Sequence, residues 1–515
     1  MQRRTVLAAS ASALLPLPAI LSRAAAAQAG PAVLRVVTPW EISSLEPSRA
    51  GYVFTRMQVS ETLVGADNGG LPKPGLAASW AVSGDRLSWT FTLRESATFH
   101  DGTLVTAEAA AAALRRAKAQ PGPFSTAPVT AIEAPDPRTV VLRTSQPLAA
   151  MPAFLAHSAT QILAPSSYDD AGAVRRLVGS GPYRVTSINL PLRMEVERFD
   201  AWSGGPRPAI ERVTYSVVPR AETRAVMAES GQADLVFILD PPGQDRLRRA
   251  RRVDLRTQPI PRTQVIKLNA GLPFFDDVRE RRAISLLVDR DGISRAVLRN
   301  PGNAATQMFA PTLAEWHVPA LPPLKRDVAE ARRLLAECGW APGANGTLEQ
   351  EGRPFRVTLR TFSDRPELPV SAAALQENLR EAGIDMQVAV ANSSEIPAGH
   401  RDGSLEMALF SRSFSILPDP IGTLRVDFGV AGGDWGATGW SDAALITALD
   451  QLGGTSDPIE RGRLRGQVAS ILHGQLPVIP VAWYDNSVSV SRRLAGVSVD
   501  PLELSYRIAD MRWTG

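Results

Sequence analysis

Segments that alternate apolar and polar residues are interleaved along nearly the whole chain with segments whose apolar residues recur every three or four positions. Residues 32–39 (Ala-Val-Leu-Arg-Val-Val-Thr-Pro) read as a first strand, because a β-branched run stops at a proline that cannot continue a ladder. Residues 89–94 alternate Trp, Phe and Leu with Thr and Arg, the period of a half-buried strand, and Asp101-Gly102 supplies a turn. Residues 106–118 are Ala-rich, with Glu108 in the first turn and Arg115, Arg116 and Lys118 in the last, a charge order that suits a helix dipole. Strands at 213–218, 235–239 and 265–268 are separated by helical patterns at 223–229 and 245–252. A helix at 327–338, with Ala331, Leu334, Leu335 and Cys338 on one face, stops at Gly339, where a C-cap glycine belongs. A strand at 357–361, a helix at 372–381 closed by Gly383 and a strand at 384–390 make a βαβ unit, followed by a helix at 461–473 and a strand at 477–483. This alternation predicts an α/β fold with mostly parallel sheets covered on both faces, and ligands at strand ends or between lobes.

Composition narrows the class. The 515 residues are 44% hydrophobic and 21% charged, which excludes a disordered or collagen-like chain and leaves room for two to four domains of about 150 residues. The sequence pI is near 9.4, yet the formal charge is only +4. Residues 1–29 hold Arg3, Arg4 and Arg23 and no acid, so their removal leaves +1. No nucleic acid partner is expected, and the five arginines between 246 and 252 read as a solvated helix face.

The N-terminus reads as an export signal: basic Met1–Arg4, an apolar run from Val6 to Leu21, and small-x-small sites ending at Ala27 and Ala29. Ser10, Ser12, Pro16 and Pro18 interrupt the run, which is shorter than the roughly 20 residues of a membrane span. Arg3-Arg4 before Thr5-Val6-Leu7 resembles a twin-arginine signal, while Sec signals also begin with paired basic residues, so the route stays open. The lone Cys338 cannot form an intramolecular disulfide. A free periplasmic protein is expected.

Chemical signatures are sparse. The five histidines, His100, His157, His317, His400 and His473, form no metal-binding motif, and neither a metal nor a cofactor is expected. Gly179-Ser180-Gly181 reads as a backbone turn rather than a nucleophile elbow, Asp276-Asp277 as a capping pair, and no phosphate loop is present. The protein is therefore expected not to be an enzyme. What remains is aromatic surface in loops, Trp40, Tyr52, Phe54, Trp316, Phe414, Trp435 and Trp440, the material of a cleft that buries a ligand without reacting with it.

Six motifs, in order, resemble the family 5 extracellular solute-binding proteins of ABC importers. They are Leu71-Pro72-Lys73-Pro74-Gly75-Leu76-Ala77-Ala78-Ser79-Trp80; Trp89–Arg94 with Phe99-His100-Asp101-Gly102 and Thr106-Ala107; Gly179-Ser180-Gly181-Pro182-Tyr183; Gly231-Gln232-Ala233-Asp234; Asn269 with Phe275-Asp276-Asp277-Val278-Arg279; and Arg282-Ala283-Ile284 leading to Val288-Asp289-Arg290. The resemblance implies a type II periplasmic-binding-protein-like fold, two lobes joined by a hinge plus an extra α/β domain. Lobe one would comprise residues 30–54, 178–262 and 485–515, the extra domain 55–177, and lobe two 263–484.

The implied function is a periplasmic receptor that captures a small peptide-like, anionic or uncharged solute between its lobes, as a monomer, and delivers it to a membrane permease. Peptide-binding relatives hold the ligand's amine with an Asp three residues before an Asp-Pro pair. Here Asp419-Pro420 matches the pair, but the position carries Ile416. A buried ammonium without a carboxylate is costly, so Arg412 is expected instead to hold an anion. The expected ligand-binding residues are Trp40, Tyr52, Phe54, Arg412, Phe414, Asp419, Trp435 and Trp440. The rivals are a peptide receptor whose acid has moved, a nickel-chelate receptor of the same family, an exported α/β hydrolase, and a periplasmic chaperone.

Overall fold

The structure, a computed structural model, describes residues 32–120, 122–415 and 417–514; the expected export signal at 1–29 and Ile416 lie outside the described residues. Among the described residues, ten strands form one mixed sheet. From edge to edge it runs Asp385–Ala391, Arg356–Phe362, Met407–Ser413, Val253–Leu268, Val478–Ser491, Leu235–Phe237, Val33–Thr38, Arg212–Val217, Arg193–Arg198 and Tyr183–Asn189.

Each half of this sheet has a parallel centre. Val33–Thr38 pairs in parallel with Arg212–Val217 and Leu235–Phe237, and Arg356–Phe362 with Asp385–Ala391 and Met407–Ser413. The halves are joined by Val253–Leu268 and Val478–Ser491, which run antiparallel to each other and to their outer neighbours. The expectation of a mostly parallel sheet is thus corrected: a chain that leaves one lobe and later returns must cross the boundary in opposite directions. The 16-residue crossing strand is roughly 50 Å long at the usual rise per residue. Its pairing slips between Ile260 and Thr263 and again between Gln264 and Val265. Such bulges bend a strand and increase its twist.

The predicted elements recur with shifted ends. The helix expected at 372–381 spans Glu367–Arg380, and the strand expected at 477–483 continues to Ser491. Thr106 caps helix Ala107–Ala119, its hydroxyl accepting from the Ala109 N–H at 3.2 Å. That helix packs on a four-stranded sheet, Ala77–Val82, Ser88–Leu93, Thr139–Thr144 and Val129–Asp136, all drawn from the stretch expected to form the extra domain. Its apolar core is continuous with that of the second lobe, where Phe154, Leu417 and Ile421 belong to one cluster. The first lobe keeps separate cores on the two faces of its sheet, with adjacent Val36 and Val37 pointing to opposite sides.

The motif residues prove to be joints. Gly231 ends helix Ala221–Ser230 in the left-handed conformation, and Asp234 binds the Arg35 guanidinium through both oxygens at 2.8 and 3.0 Å. Asp277 and Glu280 form a capping box on helix Val278–Leu287. Gly179 and Gly181 lie where two chain passages meet: Gly181 N–H donates to Val59 O at 3.0 Å and His100 N–H to Gly179 O at 2.9 Å. A Cβ on Gly179 would fall 2.1 Å from Val59 O. Gly179→Ala is therefore expected to cost about 2–3 kcal/mol through forced backbone displacement, read as a lower urea midpoint at unchanged m-value.

Candidate functional site

The cleft between the two halves opens at the carboxyl ends of their parallel strands, the general position for ligands in such sheets. It encloses about 440 Å³. From the first lobe it is lined by Trp40, Arg49, Tyr52, Arg56 and the turn Leu502-Glu503-Leu504; from the second by Phe362, Arg365, Trp435 and Ser411 to Ser415 without Phe414; and from the crossing strand by Arg262.

Local structure fixes the aromatic wall. Trp40 follows strand Val33–Thr38; its N–H donates to Thr38 Oγ1 at 3.3 Å, and Tyr215 OH donates to its carbonyl at 2.7 Å. Tyr52 and Arg56 sit four residues apart on helix Pro47–Arg56 and share its cleft face. The Arg56 guanidinium lies 4.6 Å from the Trp40 ring centre and 5.3 Å from that of Tyr52, both cation–π distances. Across the cleft, Trp435 meets Phe410 edge-on at 5.1 Å. Its loop is clamped from beneath by the fully buried Lys267, whose Nζ donates to Gly433 O at 2.7 Å and Asp434 O at 3.0 Å. Burial pushes the Lys267 ammonium down to about 8.

Positive charge dominates the lining: five arginines face two acids, Asp364 and Glu503. Arg262 Nη2 donates to Glu503 Oε2 at 2.5 Å and Arg56 Nε to the Glu503 carbonyl at 2.7 Å. Arg365 donates to Tyr484 OH at 3.0 Å and lies over that ring. Burial pushes the Glu503 carboxyl up, but Arg262, Arg56 and Arg365 outweigh it and hold the group down to about 2. Among the described residues, Arg262 Nε and Ser411 Oγ are buried without a hydrogen-bond partner.

Of the residues expected at the site, Trp40, Tyr52, Arg412 and Trp435 line the cleft and the other four do not. Phe54 lies on the opposite face of its helix from Tyr52 and is buried with Ala50 and Val53 in the first-lobe core. Phe414 packs against Phe309 at 5.2 Å. Trp440 meets Phe428 edge-on at 6.5 Å, away from the cavity. Asp419 is bound by Arg461 at 2.8 Å and accepts from the Ile421 N–H at 3.0 Å.

Arg412 reaches the cleft with its fork already occupied. Nε and Nη2 donate to the two oxygens of Asp427 at 2.5 and 2.7 Å, and the Asp427 side chain is only 1% exposed. Burial raises the Asp427 carboxyl and Arg412 offsets only part of that. Arg56, Arg262 and Arg365 also line the cleft, and none of the three is bound by a carboxylate as Arg412 is, through both of its fork nitrogens. Sequence reading passed over these three because each is an isolated arginine in an unremarkable segment.

A pair of lobes hinged on two crossing strands around an aromatic, cationic cleft defines a solute-binding receptor. The sequence profile "Bacterial extracellular solute-binding proteins, family 5 Middle" matches residues 72–434, and the chain belongs to that family, the receptors of ABC importers. It is 26% identical over 502 residues to the nickel-binding periplasmic protein of Escherichia coli K12, covering 91% of this chain and 94% of that one. It is also 26% identical to the glutathione-binding protein GsiB of the same strain, over 87% and 88% of the two chains. Its fold matches NikA from Brucella suis in complex with Fe(III)-EDTA, with a TM-score of 0.84, 24% identity and coverage of 94% and 100%. These relatives are solute-binding receptors, not enzymes. No helix among the described residues is long and apolar enough to cross a membrane.

Arg412→Ala strands the buried Asp427 carboxylate and is expected to cost about 3–5 kcal/mol of stability; Arg412→Met with Asp427→Asn recovers most of it in urea unfolding. Burial pushes the His100 and His157 imidazoles down to about 4, against about 6.5 in the unfolded chain. Between those values the unfolded state holds more protons, so stability falls as pH drops from 6.5 to 4. His100→Gln should flatten that slope in unfolding curves measured from pH 4 to 7.

Proposed function

We propose that this receptor captures a small organic anion, including an anionic metal chelate, and passes it to the membrane permease of an ABC importer. The observation that carries the reading is the excess of guanidinium in a half-buried cleft. Five arginines line it against two carboxylates, with the flat faces of Trp40, Tyr52 and Trp435 beside them. Arg262, Arg365 and Arg56 come from the crossing strand and from either side of it, so an anion bridging them draws the lobes together. Closure is then driven by the ligand's stronger contacts in the closed state. We place lobe one at residues 30–54, 178–262 and 485–515, the extra domain at 55–177 and lobe two at 263–484, with residues 1–29 as a cleaved export signal and the mature protein a periplasmic monomer.

The nickel-binding and chelate-holding relatives support the chelate as a member of this ligand class, because a carboxylate-rich chelate presents the same charge to the arginines. A free peptide amine is less well served. The sequence carries Ile416 where peptide-binding relatives carry Asp. Of the cleft's two acids, Glu503 is already bonded to Arg262.

Native mass spectrometry of the purified protein, followed by denaturation, should release an anion. Thermal-shift titration should respond to citrate or a metal–EDTA chelate before a neutral tripeptide. Arg365→Gln should weaken the responding anion about 10- to 100-fold, the value of one charged hydrogen bond. Release of a cationic or neutral solute, or an Arg365→Gln protein with unchanged affinity, would overturn the reading.

A further inference from the structure

The one carboxylate bonded to the arginine cluster belongs to the protein. Glu503 sits in a tight turn whose main chain is over-determined. Asp500 accepts hydrogen bonds from the N–H groups of Leu502 at 3.0 Å, Leu504 at 3.2 Å and Ser505 at 3.0 Å, and its carbonyl accepts from Glu503 N–H at 3.1 Å. Tyr506 N–H donates to Arg56 O at 2.9 Å. Glu503 itself is held at φ +57°, a left-handed conformation that glutamate adopts only when its surroundings impose it. The side chain is 6% exposed and that of Arg262 12%, so the ion pair is nearly desolvated although it lines an open cavity.

We propose that Glu503 is a built-in counter-anion that occupies the arginine site of the empty cleft and so determines which ligands the receptor accepts. The proposal rests on the anion reading of this cleft. A ligand carboxylate that merely replaces Glu503 on Arg262 exchanges one ion pair for another and gains little. A ligand with several anionic groups also reaches Arg56, Arg365 and Arg49 and gains contacts that Glu503 does not make. The device therefore discriminates against monoanions, a specificity obtained through repulsion as well as attraction. It also keeps buried guanidinium from standing unpaired while no ligand is bound, which would be costly.

The test uses inorganic sulfate as the probe, on the full-length protein freed of ligand, with ionic strength held constant by sodium chloride. In wild type, sulfate should give only the weak, non-saturating stabilisation expected of an excluded salt. Glu503→Gln should open the site, giving saturable binding in thermal shift and calorimetry, with a sulfate Kd at least tenfold below the highest concentration at which wild type shows no saturation. Adding Arg262→Gln should abolish the gain. If Glu503→Gln fails to fold, Glu503→Asp, one methylene shorter, should show a smaller gain of the same kind. A sulfate response identical to wild type in the folded variant, or one that survives Arg262→Gln, overturns the proposal. Its fate is separable from that of the ligand class. A neutral solute released from wild type alongside sulfate gain in Glu503→Gln sinks the anion reading alone, whereas a released anion with no sulfate gain sinks the counter-anion alone.

Discussion

The antiparallel pairing of Val253–Leu268 with Val478–Ser491 is the constraint on which the rest of the molecule depends. It is the seam that makes two half-sheets, each with a parallel centre, into one sheet, and its register slips between Ile260 and Val265. Because main-chain hydrogen bonds run through the seam, the lobes cannot separate without breaking a ladder, and the bulge is where the crossing strand bends. Arg262 stands at that bulge and also lines the cleft. Position in the hinge and charge in the cleft are one feature.

The cleft's electrostatics follow from a shortage of acids. Three other guanidinium groups are matched by carboxylates: Arg35 with Asp234, Arg412 of the cleft wall with Asp427, and Arg461 with Asp419. In each case a mostly buried carboxylate takes up the fork and fixes a junction between segments. Inside the cleft, Glu503 faces Arg56, Arg262 and Arg365 together, with Glu367 behind the wall also facing Arg365. Aromatic faces spread some of that charge, through Trp40 and Tyr52 for Arg56 and Tyr484 for Arg365. The lining as a whole keeps more arginines than acids.

The family motifs explain why the class was legible when the ligand was not. Asp234, Asp277, Gly179 and Gly181 cap helices, clamp strands or permit close main-chain approach, and none of them lines the cleft. They specify the fold. Half of the expected site residues lie at the cleft, because an aromatic just past a parallel strand, such as Trp40, is placed by strand geometry alone. Phe54 shows the limit: it is two residues from Tyr52 on the same helix, and a shift of about 200° around the axis sends it into the core.

The sequence by itself determined the α/β alternation, the helix caps and the receptor class, because each depends on residues close together in the chain or on motifs of fixed spacing. The tertiary structure decided the direction of the crossing strands, the diversion of Arg412 to Asp427, and the gathering of Arg56, Arg262, Arg365 and Glu503. These four are separated by up to 447 positions along the chain. Coulombic coupling depends on distance in space, and only the path of the chain through both lobes brings Glu503 within a hydrogen bond of Arg262 and near enough to Arg56 and Arg365 for their charges to act on it.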